Sequence, residues 1–131
     1  MRLLGDTVEV GSRDLVAYEL AAKEIYRLVG LFEGLFSRHK LYCDTVIVAD
    51  DVQFRWRSSH KGFEYLLCNG SASWVPVKNV FNMEIAATLL ENMRTFYAAA
   101  CEEQDRVTQV LESAVETGNT FASSLISKEQ E

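Results

Sequence analysis

The hydrophobic positions of the chain change period twice. From Ser12 to Lys40 the apolar residues Leu15, Tyr18, Ala22, Ile25, Val29, Phe32 and Phe36 recur at alternating spacings of three and four. That is the period of an amphipathic helix with a heptad seam. Ser12 supplies an N-cap, Asp14 sits in the first turn, and Arg38, His39 and Lys40 gather at the end, as the helix dipole favours. A second stripe through Ala21, Leu28 and Leu35 makes the apolar arc wider than a single partner requires. Gly30 and Gly34, four apart on another side, are the residues of a close helix contact, since each costs helix stability otherwise.

From residue 44 to 77 the period falls to two, and turn residues punctuate the run at Asp50-Asp51, Ser58 to Lys61 and Asn69-Gly70. These are hairpin signals, Asn-Gly the strongest of them. Registers follow from the turns. The Asp-Asp turn pairs Ala49 with Val52 and hence Ile47 with Phe54. The four-residue loop pairs Arg57 with Gly62, hence Phe54 with Tyr65 and Trp56 with Phe63. The Asn-Gly turn pairs Cys68 with Ser71 and hence Tyr65 with Trp74. One face of the resulting meander carries the row Ile47, Phe54, Tyr65, Trp74, and a slip of one residue would scatter it. The other face carries Arg55 beside Glu64, a cross-strand ion pair. Val46, Val48, Leu66 and Val75 fall on that face too, so it alternates less cleanly than a solvated face should. A covering element, from this chain or from another subunit, is the expectation. Pro76 suits an edge strand, where its missing N–H goes unnoticed.

The helical period returns after Asn79 or Asn82, either of which can cap, with Glu84 in the first turn. Leu90, Met93, Tyr97, Ala100, Gln104, Val107, Leu111, Ala114, Gly118, Phe121 and Leu125 form a heptad seam, with Gln104 as its polar interruption. Gly118-Asn119 predicts the end of the helix, so it spans 82–117 and leaves 118–131 as a partly frayed tail. From Met83 to Thr117 the helix is roughly 52 Å long at 1.5 Å per residue, against about 17–24 Å for a strand of five to seven residues. It must overhang the sheet. The expected fold is therefore α+β in a single domain: an N-terminal segment (1–11), a helix (12–40), a four-stranded antiparallel β-meander (44–77) and a long C-terminal helix.

Composition narrows the function classes. The chain has 131 residues, 48% of them hydrophobic, and a net charge of −6, which suits one folded domain and removes general nucleic-acid binding, since that needs a basic face. The charge is uneven. Residues 11–40 carry five basic and four acidic side chains, while from Glu102 onward there are seven acidic and two basic. Cys43, Cys68 and Cys101 fit neither a disulfide framework nor a metal motif. No run of about 20 apolar residues offers a membrane span, and no signal peptide is visible, so a cytoplasmic protein is expected.

Catalytic chemistry finds no foothold. His39 and His60 lack Cys or carboxylate neighbours at ligand spacing. Asp50-Asp51 serves a turn. "GLFEG" lies inside a helix and is no phosphate loop. Cys68 lacks a nearby base. The expectation is no enzyme and no cofactor.

Binding remains, on two surfaces. Arg55, Arg57, His60 and Lys61 are four potential cations on two strands and one turn, and arginine forks suit phosphate or carboxylate. Arg27 and Arg94 join them if the helices line a pocket beside the sheet. Val107, Val110, Leu111, Ala114 and Phe121 form an apolar stripe beyond the reach of the sheet, an interface between copies of the chain. The size, acidity and helix–meander–helix plan resemble those of small phage counter-defence proteins. That resemblance implies either inhibition of a protein target or sequestration of a nucleotide signal. The leading reading is an oligomeric protein-binding module or inhibitor. The alternatives are a sponge holding an anionic nucleotide between subunits and an acidic chaperone-like dimer, although the uninterrupted four-strand block fits the last poorly.

Overall fold

The computed structural model describes residues 2–68, 73–79 and 82–130, with side chains described from residue 15 onward. Helix α1 (Arg2–Arg38) leads into strands β1 (Thr45–Ala49), β2 (Val52–Arg57), β3 (Gly62–Leu67) and β4 (Val75–Pro76). A short 3₁₀ turn (Val77–Asn79) precedes helices α2 (Met83–Glu91) and α3 (Met93–Gln130). The strands form one antiparallel sheet in the order β1-β2-β3-β4. The α+β plan of helix, meander and long C-terminal helix is that expected from the sequence.

The helix boundaries differ. Ser12 does not cap α1, which runs back to Arg2. No proline interrupts residues 2–11, and a helix already nucleated extends at one hydrogen bond per residue. At the other end α1 stops two residues early in a Schellman arrangement. Lys40 takes a left-handed φ of 60°, Lys40 N–H donates to Ser37 O at 3.1 Å and Leu41 N–H to Phe36 O at 3.1 Å.

The single long helix is two. Asn82, not Asn79, caps α2, its side chain accepting from Glu84 N–H at 3.0 Å. Asn92 then marks a break: its φ of −105° and ψ of 11° leave the helical range, its backbone N–H is shared between Thr88 O at 3.2 Å and Leu89 O at 3.1 Å, and its side-chain amide also donates to Thr88 O at 2.8 Å. An asparagine side chain competes with the backbone for just such bonds. Nor does Gly118-Asn119 end α3, which continues to Gln130, so the segment after residue 117 is helical rather than a frayed tail.

The β1–β2 and β2–β3 registers are those read from the turns: Ile47 faces Phe54, Phe54 faces Tyr65 and Trp56 faces Phe63. Asp50 and Lys61 take the left-handed conformation that tight turns require,. Between β3 and β4 the register is one residue off. Tyr65 faces Val75, and Glu64 faces Pro76. The Asn69-Gly70 turn behind that expectation lies outside the described residues. The slip sends Val75 to the core face, ahead of the fully buried Val77, and turns Trp74 to the arginine face. Tyr65 is half-buried, not fully buried.

All three helices pack on one face of the sheet. Phe36 is the hub of the core, its ring 4.9 Å from Phe63, 5.1 Å from Trp56, 5.5 Å from Tyr97 and 5.7 Å from Phe96. Most of these contacts are edge-on or tilted, as aromatic quadrupoles prefer. The buried Trp56 donates its indole N–H to Leu41 O at 2.9 Å. Contacts climb together along α1 and α3: Phe36 meets Tyr97, and Lys40 O accepts from Gln104. The two helices therefore run in the same sense where they touch, and the start of α1 and the end of α3 leave the core at opposite ends. Gly30 and Gly34 are not a close-packing pair within this chain, since a Cβ on either would meet nothing within 4 Å.

Candidate functional site

Of the hairpin's candidate residues, Arg55 is the one closely engaged. Arg55 Nε donates to Glu64 Oε1 at 2.6 Å, in a pair whose side chains are 20% and 11% exposed. Cross-strand register places the two residues opposite one another. The guanidinium of Arg55 also lies 4.4 Å from the centroid of the Trp74 ring, a cation–π contact that the β3–β4 slip makes possible. Arg57 reaches the same Glu64 oxygen only at 4.0 Å and is 37% exposed. His60 and Lys61 stand exposed in the loop. That loop is tied to the start of β1, because Asp44 accepts from Ser58 N–H at 2.9 Å and from the Ser58 hydroxyl at 2.8 Å.

The two helical arginines do not join this group. Arg27 is exposed on α1 and bonded to Glu24, which raises its own pKa and lowers that of Glu24. Arg94 is exposed near the start of α3, beside Phe32, Leu90, Glu91, Met93 and Tyr97. Both belong to helices on the core face, whereas Arg55 and Arg57 point to the opposite face. Within one copy of the chain, then, Arg55, Arg57, His60 and Lys61 share one hairpin, and Arg27 and Arg94 stand apart from it.

A group that the sequence did not announce lies at the rim of the hairpin. Glu33 of α1 is buried, and its Oε2 accepts from Phe63 N–H at 3.0 Å. Burial pushes its carboxyl above the usual range, against the opposing effects of the Phe63 hydrogen bond and the nearby Lys78. It borders a cleft of about 240 Å³ with His60, Gly62, Phe63, Glu64, Pro76 and Lys78. A Cβ on Gly62 would come within 3.1 Å of Glu33 Oε2, so a side chain there would press the carboxylate aside by a few tenths of an ångström. The sequence separation of 30 residues leaves no local signal for this contact.

A second unannounced group joins the helix ends. His39 Nδ1 lies 2.8 Å from the Tyr97 hydroxyl. Tyr97 in turn interacts with Cys101, chiefly through a hydrogen bond that raises the tyrosine pKa. Tyr97 and Cys101 are four apart, a spacing the sequence shows; the partnership with His39 it does not.

The apolar stripe expected beyond the sheet is there. Val107 is half-buried, and every residue from 108 to 130 is exposed, including Val110, Leu111, Ala114 and Phe121. Gln104, expected as the polar interruption in an intersubunit seam, instead closes on its own chain. Its amide donates to Lys40 O at 2.6 Å, and its oxygen accepts from Tyr42 N–H at 2.6 Å. The uncovered stripe therefore begins after Gln104. The arginine face of the sheet is also open at one side, with Val46 52% and Val48 66% exposed.

Among the described residues no group of three or more His, Cys, Asp or Glu side chains is placed to hold a metal ion, and no helix is long and apolar enough to cross a membrane. Compared with known proteins, the chain matches no family model, no curated protein and no solved structure.

Proposed function

We propose that this chain is a non-catalytic binding protein that works as a homo-oligomer and presents a surface to a protein target. The observation that carries the reading is the apolar stripe of α3: Val110, Leu111, Phe121 and Leu125 are between 46% and 65% exposed, on a stretch of helix where every described residue beyond Val107 is exposed. Monomers avoid contiguous exposed patches of this kind, and helices of ordinary composition owe most of their stability to a packed face. Self-association covers the stripe and leaves the open side of the sheet, with Val46, Val48 and the exposed Tyr42, for the target. Light scattering at micromolar concentration tests it. The expected mass is a multiple of the 14.8 kDa chain, reduced to one chain by Leu111→Glu, and a parent protein already at one chain mass sinks the proposal.

The anionic-nucleotide reading retains one supporting feature, the half-buried Arg57 with the exposed His60 and Lys61 at the hairpin tip. Arg57 is the better probe than Arg55, whose guanidinium is engaged by Glu64 and Trp74. Titration calorimetry against cyclic and linear nucleotides should show binding that Arg57→Glu abolishes; no heat across the panel removes this reading.

A further inference from the structure

We infer that the occupant of the exposed α3 stripe is the α3 helix of a second copy, antiparallel and in one register. This rests on the oligomer reading above and specifies it. Assign the seam from the helix itself: Val107, Leu111, Ala114, Gly118, Phe121 and Leu125 alternate in steps of four and three. Run a second copy in the opposite sense and pair positions whose numbers add to 232. Val107 then meets Leu125 of the second copy, Leu111 meets Phe121, and Ala114 meets Gly118, and the same layers repeat in reverse. Every layer falls on the seam of both helices, and the two smallest residues face each other at the two-fold axis. Such an interface is self-complementary, as a closed dimer requires.

Gly118 supports this register. It lies inside a continuous exposed helix, where glycine costs stability. It does not end the helix, it has no left-handed φ, and an added Cβ would meet nothing within 4 Å in its own chain. The sequence from Thr117 to Thr120 is Thr-Gly-Asn-Thr, four weak helix formers in a row,. A neighbouring backbone that must come close accounts for the glycine, and a packed face accounts for a helix that persists through that run.

The charges select the antiparallel sense. The seam's flanking positions are mostly uncharged, among them Val110, Val115, Thr117 and Ala122. The exceptions lie at the two ends. Lys128 and Glu129 mark the tip, while Glu103, Asp105 and Arg106 mark the base, where Arg106 pairs with Glu103 at 2.6 Å within its own chain. Antiparallel pairing brings tip to base, and the register sets Lys128 level with Gln104, between Glu103 and Asp105, and Glu129 level with the Glu103–Arg106 pair. Parallel pairing would set each charge against its own copy and place a Gly118 layer directly beside a doubled Phe121 layer. The stripe from Val107 to Leu125 is about 27 Å long.

Spin-label distances decide it. Nitroxides are placed one at a time at Glu116→Cys, next to the axis, and at Ser127→Cys, near the tip, in a background with Cys43, Cys68 and Cys101 changed to serine. The register predicts almost no axial offset between the two labels at 116, and an offset on the order of 33 Å at 127, from 22 residues at 1.5 Å each. Short distances at both sites mean a parallel pair and overturn the inference. An oligomer by light scattering with no measurable 116–116 distance also overturns it, while leaving the oligomer reading intact; a monomer removes both. If the cysteine-free background does not fold, Gly118→Ala in the native chain gives an independent answer. On an unpartnered helix the methyl raises helix stability and leaves the mass unchanged, which overturns the inference. At an Ala114 contact it weakens association, with Kd expected to rise roughly tenfold or more.

Discussion

Helix α3 contains two stretches written in the same pattern and treated differently by the fold. Between Met93 and Gln104 the helix is covered: Met93 and Ala100 of the seam and the neighbouring Phe96 are buried, Tyr97 is half-buried, and Gln104 is tied to the end of α1. From Leu111 onward the same alternation of apolar residues continues in the open. The period of a helix tells which face wants cover. It does not tell which structure supplies the cover, because that depends on how far the sheet reaches, and a strand of five or six residues is shorter than a 38-residue helix,.

The sharpest way to break this comparison is to treat the same residue type in both stretches. Phe96→Ala, at 0% exposure, should cost about 3–5 kcal/mol in urea unfolding. Phe121→Ala, at 65% exposure, should cost under about 0.5 kcal/mol when measured at concentrations too low for association. Equal losses would mean that α3 folds back on its own chain.

On the sheet, Arg55 and Arg57 offer a smaller contrast of covered against open. Arg55→Ala leaves Glu64 enclosed without its close partner and should cost about 1–3 kcal/mol, whereas Arg57→Ala should stay under about 1 kcal/mol. Thermal unfolding followed by circular dichroism resolves the two, and reversed sizes would place Glu64 against Arg57 instead.

The smallest effect concerns Glu33. Burial raises its carboxyl pKa in the folded protein, so the folded state holds a proton that the unfolded chain has already released. Stability from this group is therefore present on the acid side and is lost as pH rises from the ordinary glutamate range through the raised folded value. Glu33→Gln keeps an acceptor for Phe63 N–H and removes the ionisation. It should flatten the pH dependence of urea midpoints over that window while changing neutral-pH stability by less than about 1 kcal/mol. An unchanged slope would show that the carboxyl is solvated.

How much of this could be read from the sequence varies by element for physical reasons. The β1–β2 and β2–β3 registers were legible because Asp50-Asp51 and Ser58–Lys61 fix loop lengths and the aromatic row agrees with them. The β3–β4 register was not, because Trp74-Val75-Pro76-Val77 is apolar throughout and its alternation has no preferred parity. Asn92 gave no warning either, since a break at an asparagine leaves no glycine or proline behind. At the candidate site the Arg55–Glu64 pair followed from the register alone. The Trp74 stack depended on the slip, and Glu33 depended on a contact between elements distant in sequence.

The contrast between the two tryptophans has an optical consequence. Trp56 is 1% exposed and hydrogen-bonded to a backbone carbonyl, so its emission should lie to the blue and resist acrylamide until the core opens. Trp74 is half-buried beneath a guanidinium on the opposite face, and it should emit further to the red and quench readily. With Trp74→Phe the molecule reports only its own unfolding. With Trp56→Phe, if the core accepts the smaller ring, the remaining signal reports whatever settles on the arginine face, and docking there becomes visible without any attached dye.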